Sequence, residues 1–308
     1  MATILKFLLP NRHAVIGYAL AALAAIGFST KAILVKLAYY DDVDAVTLLA
    51  LRMSFAAPFF LVVAWLHAGR DGASPLAGRD YWAVLILGLL GYYLSSLFDF
   101  IGLQYISAGL ERLILFLYPT FVVLLSALLL GKAFGRKEIV ALLLSYAGIA
   151  VVFKDELGVQ SGQLLLGAGF VFASTLTYSL YLIGTGETVG RIGASRFTAY
   201  AMLVACAATV MQFALTHTPQ ALQLPMRVYQ LSLVMAIVST VLPVFMLSTA
   251  IRLIGSSHVS LIGMIGPVST IFMAAYFLGE ELTVSQLAGA GLVMAGVLSL
   301  SVKRRCFR

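Results

Sequence analysis

Long apolar stretches recur along the whole chain, separated by short connections that collect most of the charged residues. Each stretch runs to about 18–25 residues, the length of helix that crosses a hydrocarbon core of roughly 30 Å. A bilayer core offers no water to the backbone, so a spanning segment must be a helix or part of a closed barrel. The stretches are continuously apolar and do not alternate, which selects helices. The pattern predicts ten spans. The first five are Ala14–Ala38, Ala45–His67, Tyr81–Tyr105, Ala108–Leu130 and Gly135–Phe153. The second five are Gln163–Gly186, Ala194–Leu215, Arg227–Ser248, Ile254–Leu278 and Val284–Val302. The first stretch is too long for a secretory leader, lacks a cleavage site and is followed by further spans, so it reads as a membrane helix. The expected fold class is an all-α polytopic membrane protein.

Composition agrees with that pattern and adds an orientation. The chain is 61% hydrophobic and 11% charged, with a mean hydropathy of +1.01, against about 25% charged residues in soluble domains. Its net charge of +7 is explained by placement and implies no nucleic acid. Lys6, Arg12, Arg70, Arg79, Lys132, Arg136, Lys137, Arg191, Arg196, Arg252, Lys303, Arg304, Arg305 and Arg308 fall on one side of the ten-span arrangement. The other side receives Lys154 and Arg227, beside an acidic first loop of Asp41, Asp42 and Asp44. Basic loops stay in the cytoplasm, so both termini are expected there, in a bacterial inner membrane. Cys206 lies in the seventh span and Cys306 in the tail, positions that do not favour a disulfide.

The most specific signal is an internal repeat at an offset of 148 residues. Pro119 maps to Pro267, Gly131 to Gly279 and Gly148 to Gly296 without a gap. The expected units are residues 1–153, a linker at 154–162 and residues 163–308. Five spans per unit is an odd number, so the halves enter the membrane from opposite sides. Inverted repeats of this kind support alternating access around a midplane site in many secondary transporters. Duplication kept for packing alone is the competing reading.

The segments "GLQYISAGLERLILFLYPTFVVLLSALLLGK" and "AIRLIGSSHVSLIGMIGPVSTIFMAAYFLGEEL", with Arg52 in "LLALRMSFAAPFFL", carry a family resemblance. Over nearly its whole length the chain resembles the drug/metabolite transporter superfamily, in its ten-helix branch of paired EamA-type domains. Within that branch it is similar to bacterial amino-acid exporters of the YddG type, some of which carry aromatic amino acids. The resemblance implies a basket of helices around a central cavity, lined by spans one to four and six to nine, with spans five and ten as outer buttresses. Small residues in those two spans (Gly148, Gly289, Gly291 and Gly296) fit close helix packing. One departure is "GKAFGRKE", which lacks the acid that the second half carries in "GEEL".

Ionisable groups inside a membrane are costly and mark interior or wet surfaces. Lys31, Asp99, Glu111 and Arg112 all fall in the outer half of the first repeat, with Arg52 two turns into the second span. Two readings stand. Lys31 or Arg112 receives a substrate carboxylate and Asp99 or Glu111 an ammonium, or the groups neutralise one another as Asp99–Arg112 or Lys31–Asp99. Lys36 reads as a residue that snorkels to the interface. Tyr92, Tyr93, Ser95, Ser96 and Phe98 in the third span, Tyr118 in the fourth, and Tyr178, Ser179 and Tyr181 in the sixth form a candidate amphipathic lining, with interhelical packing as the plain alternative. The offset of 148 pairs Lys31 with Ser179, Asp99 with Leu247 and Glu111 with Val259, so the charges belong to the first half. Pro119, Pro243 and Pro267 remove backbone hydrogen bonds within spans and are expected to bend or gate them.

No catalytic or nucleotide motif appears, and His13, His67, His217 and His258 lack metal-ligand spacing. The expectation is a transporter and not an enzyme, with no cofactor and no metal. Its partners are a small-molecule substrate and the lipid bilayer, and a monomer satisfies the pattern. Export of amino acids, aromatic ones included, is the leading function. The alternatives are exchange of phosphorylated metabolites or nucleotide sugars, and a membrane scaffold or lipid-handling protein without a solute cycle.

Overall fold

A computed structural model describes residues 12–68, 77–131, 135–156 and 161–301, and among the described residues every regular element is helical. The first half comprises α1 (Arg12–Tyr39), α2 (Ala45–Ala68), α3 (Gly78–Gly102), α4 (Ala108–Leu130) and α5 (Arg136–Glu156). The second comprises α6 (Ser161–Ile192), α7 (Ala194–Thr216), α8 (Met226–Gly255), α9 (residues 256–278) and α10 (Val284–Ser301). By length and composition, eight of these (α1 to α4 and α6 to α9) can cross a membrane, and α10 holds a shorter apolar stretch, Val284–Ser299. The protein is therefore an all-α, multi-pass membrane protein.

Two boundaries differ from the sequence pattern. The eighth span was expected to end at Ser248, but the helix continues through Ile251 and turns only at Gly255. Gly255 has φ 80°, a backbone region open to glycine, and "STAIRLIG" offers no earlier stop. The sixth helix runs past Gly186 to Ile192, where Arg191 is tied to Asp80.

Backbone irregularities recur with the repeat. A π-helical turn interrupts α3 at Leu89–Leu94 and α8 at Ile237–Val241, starting 148 positions apart. Helix α4 breaks at Phe116 and α9 at Met264, again 148 apart. Left-handed Gly131 (φ 62°) and Gly279 (φ 69°) close α4 and α9 at matching positions, as helix C-caps demand. Packing has the same symmetry. Helix α1 lies along α8 and α9 as α6 lies along α3 and α4, while α2 packs on α7 and α5 on α10. The α5–α10 seam is as close as its glycines allow: a Cβ on Gly148 would sit 2.6 Å from the Gly289 carbonyl oxygen.

The first helix of each half departs from the 148 offset. Gly17 packs against Ile254 and Gly167 against Ile106. Ser29 donates to the Gly266 carbonyl at 2.9 Å, and Ser179 to the Tyr118 carbonyl at 3.2 Å. Gly17 and Gly167, like Ser29 and Ser179, are 150 positions apart. Lys31 is therefore the counterpart of Tyr181 and not of Ser179. The first half places residues 40–44 between α1 and α2, where the second half turns on Gly193 alone (φ 84°).

Candidate functional site

Three helices of the first half bring their charged residues together. Lys31 lies about two turns before the end of α1, Asp99 is one turn before the end of α3, and Glu111 is in the first turn of α4. The Lys31 ammonium donates to Asp99 Oδ2 and lies 3.2 Å from Glu111 Oε1. The side chains are 17%, 2% and 0% exposed respectively, so two carboxylates share one buried ammonium. Asp99 Oδ1 and both Glu111 oxygens lack a hydrogen-bond donor. Of the pairings expected from sequence, Lys31–Asp99 forms. Asp99–Arg112 does not: Arg112 makes no ion pair within 4.0 Å among the described residues, because its side chain leaves α4 toward α9. There its guanidinium lies against Gly266, where a Cβ would meet Nη2 at 2.9 Å, and its Nε is buried without an acceptor.

Arg52, buried in α2, completes the group of cations. Its Nε donates to Thr240 Oγ1 on α8 at 3.2 Å, and its guanidinium sits 5.2 Å from the centre of the Phe100 ring. A weakly hydrated guanidinium tolerates such an aromatic face. Tyr39 donates to the Phe100 carbonyl at 2.6 Å and holds α1 to α3 beside Asp99.

The aromatic candidates assemble mainly around α6. The Tyr92 and Tyr181 hydroxyls are 2.8 Å apart. Tyr181 stacks on Tyr178 at 5.6 Å between centroids and on Phe197 at 6.2 Å, and Tyr178 meets Tyr118 edge-on at 5.7 Å. Gly91, within the α3 π turn, makes room: a Cβ there would lie 2.2 Å from the Tyr181 ring. Ser179 is buried and bonds Tyr118 and Thr175 carbonyls, which makes it a helix-packing hydroxyl. Tyr93 is half-buried against the core that α1, α2 and α3 share. Ser96 is half-buried, whereas its neighbour Ser95 is the buried hydroxyl, 3.2 Å from Ser174 on α6.

The prolines divide into two kinds. Pro119 and Pro267 each follow the break in their helix within three residues. Pro243 follows the α8 π turn, but the matching turn in α3 is followed by Ser95, so proline is not required for that geometry. Pro243 is buried instead at a close crossing, with Gly27 of α1 against its ring.

The sequence pattern placed Tyr181 in the candidate lining but did not single out Phe197, and it gave Glu280 no role. Glu280, the unmatched acid of "GEEL", accepts from the Ala108 amide at 2.9 Å and the Gly109 amide at 3.3 Å, so it caps the start of α4 one turn from Glu111. At that same end His217 lies 3.3 Å from Asp44, and Arg227 3.6 Å from Asp41. At the opposite end Arg191 of α6 holds Asp80 of α3 at 2.8 Å. Helix ends thus meet in the alternation that ten antiparallel spans require.

Comparison with known proteins agrees with this architecture. Residues 15–154 and 165–302 each match the EamA-like transporter family, so the family unit occurs twice, once per half. The chain is 31% identical over 302 residues to the uncharacterized transporter YcbK of Bacillus subtilis (strain 168), covering 95% of both chains. It is 25% identical over 260 residues to the uncharacterized transporter YyaM of the same organism, covering 82% of this chain and 83% of that one. A solved crystal structure superposes with a TM-score of 0.63 at 17% identity, over 92% of this chain and 96% of the other, a likeness of fold. The repeated five-helix unit, its paired irregularities and these relatives place the chain in the EamA-like transporter family.

Proposed function

We propose that this chain exports amino acids, aromatic ones included, and closely related metabolites across the bacterial inner membrane by alternating access. The observation that carries the reading is the division of labour among the buried cations. Lys31 is engaged by two acids, whereas Arg112 keeps a buried Nε without an acceptor beside the break in α9. A guanidinium binds a carboxylate through two parallel hydrogen bonds, so Arg112 is the receptor for the substrate's carboxylate. Tyr118 and Tyr178 offer ring faces and edges to an apolar side chain. Asp99 and Glu111 supply the negative pole for an ammonium. Phosphorylated substrates fit less well, because a phosphate needs several cations free of acids.

Alternating access needs places where helices can bend, and the breaks at Phe116 and Met264 with the two π turns supply them in both halves. Efflux of radiolabelled amino acids from proteoliposomes tests the function: phenylalanine is expected to leave faster than from protein-free vesicles. If no amino acid of a broad panel does so, the reading fails, and exchange of sugar phosphates instead would support the alternative. Pro119→Ala and Pro267→Ala are each expected to slow efflux more than they lower membrane abundance, and equal losses of both would remove the gating role.

A further inference from the structure

Arg52 is a buried cation without an anion of its own. It is 6% exposed in α2 and makes no ion pair within 4.0 Å among the described residues. Its Nε donates to the neutral Thr240 hydroxyl, its guanidinium faces the Phe100 ring, and its Nη1 is buried without an acceptor. Thr240 belongs to the π turn of α8, an irregularity that often accompanies a functional site. The positions that mirror Arg52 and Thr240 at the 148 offset are Tyr200 and Tyr92, and the Tyr92 hydroxyl meets that of Tyr181. The scaffold folds there without a charge, so packing alone does not account for the arginine.

The buried charges around Arg52 carry a positive surplus. Arg52 lies in the field of Asp99, and Glu111 in that of Lys31, Asp99 and Arg112. Lys31, Arg52 and Arg112 thus set three positive charges against the two negative ones of Asp99 and Glu111. Groups at the helix ends do not alter this balance. Glu280 is held by two amides, Lys36 sits in the last turn of α1, Asp41 faces Arg227 and Asp44 faces His217. A zwitterion held by Arg112 and the two acids brings equal charges and leaves the surplus in place. A buried charge without a counterion is costly, whereas a single negative charge on Arg52 neutralises the group.

We propose that Arg52 is a second anion-binding group, separate from Arg112, which takes one singly charged anion. Two sources can supply that charge. One is the side-chain carboxylate of a dicarboxylic amino acid, whose other carboxylate lies on Arg112; this source rests on the amino-acid reading above. The other is a free chloride ion that accompanies an amino acid without net charge. A guanidinium suits both, because its planar fork pairs with a carboxylate and its weak hydration lowers the cost of meeting an ion in a dry site. Arg52 then decides how much negative charge must be bound before the site is neutral, and Arg112 decides where the shared α-carboxylate sits.

A ligand that binds the folded state alone raises its melting temperature, so thermal unfolding of the full chain in detergent tests the site. Glutamate, glutamine and chloride are each added to a buffer of constant ionic strength made with isethionate, a bulkier anion. If the second carboxylate fills Arg52, glutamate should shift the wild type several degrees further than glutamine does. If a free ion fills it, chloride should produce a shift by itself. The shift that is seen should vanish in Arg52→Gln. Arg52→Lys, which keeps a counterion for Asp99 but loses the fork, is the second variant should Arg52→Gln fail to fold, and it should need at least tenfold more ligand for the same shift. A wild type that responds no more to glutamate than to glutamine, and not at all to chloride, overturns the site. So does a shift undiminished in Arg52→Gln, or an unchanged dose in Arg52→Lys. Efflux from proteoliposomes separates this result from the reading beneath it. If chloride shifts the wild type but no amino acid leaves the vesicles, the amino-acid reading fails and the anion site stands. If amino acids leave but neither probe acts through Arg52, the anion site alone fails.

Discussion

Lys31 and Tyr181 occupy matching positions on α1 and α6, yet they organise opposite chemistries. Around Lys31, three helices bury an ammonium and two carboxylates with little hydrogen bonding beyond their mutual attraction. Around Tyr181, helices α3, α4, α6 and α7 pack aromatic rings face to face and edge-on, and the Tyr92 and Tyr181 hydroxyls meet. Arg52 and Tyr200 stand in the same relation at an offset of 148. A duplicated scaffold has thus kept its backbone irregularities in both halves and divided its side chains into a charged region and an aromatic one. A site that must bind an amphipathic molecule needs both kinds of surface, and a two-fold scaffold with identical halves would offer only two copies of one.

That contrast yields predictions of decreasing size. Lys31→Ala strands two buried carboxylates and is expected to destabilise the protein by about 3–5 kcal/mol, as breaking a buried ion pair does. Removing Asp99 as well should recover part of that loss in thermal unfolding in detergent. A Lys31→Ala protein as stable as the wild type would show that the charged region is not a dry ion cluster. In the aromatic region, Gly91→Ala drives a methyl into the Tyr181 ring and should cost about 1–3 kcal/mol. Gly169→Ala, with open space around it, should leave the melting temperature unchanged or slightly raised. Tyr181→Phe keeps the stacking and removes the hydroxyl contact to Tyr92, an expected loss of about 1 kcal/mol. It should weaken substrate affinity less than Arg112→Ala does, and the reverse order in efflux KM would move the carboxylate receptor away from Arg112.

The smallest effect lies outside the membrane. Asp44 caps α2 by accepting from the Val46 and Thr47 amides at 2.8 and 3.0 Å. Partial burial pushes its carboxyl up, but the Thr47 hydroxyl and amide, His217 and the Val46 amide outweigh that and hold it below the ordinary carboxylate range. A folded-state value that is lowered contributes stability above the unfolded carboxylate value of about 3.9, lost as pH falls through the lowered one. Asp44→Ala should therefore cost about 0.5–1 kcal/mol near neutrality and nothing in strong acid. A cost that does not change with pH would assign the effect to helix geometry instead of charge.

Much of this was readable from the chain. Helix number and order follow from the apolar runs, because a bilayer demands about twenty apolar residues per crossing. The repeat was visible through Pro119, Pro267, Gly131 and Gly279, since a left-handed cap or a missing amide leaves its mark on residue type. Lys31, Asp99 and Glu111 could be placed at one depth from their distances to helix ends. Their pairing could not, because Arg112 and Lys31 are equally near Asp99 along the sequence pattern and differ only in the direction their side chains leave α4 and α1. Tyr181 was legible as a lining residue but not as the counterpart of Lys31, because an uninterrupted offset pairs Lys31 with Ser179, and the change of offset from 150 to 148 after the first helix shows itself only when Gly17 and Gly167 are seen against matching isoleucines.

By itself, then, the sequence determined an all-α membrane protein of two related halves, with its buried charges confined to the first. Those properties depend on local composition and on spacing along one chain. Tertiary structure alone decided that Lys31 serves two acids, that Arg112 turns to the broken helix α9, and that the "GEEL" acid caps α4 rather than standing alone in a loop. Each of these joins residues from different helices, and helix rotation and crossing, which set such contacts, are fixed by packing that no single span contains.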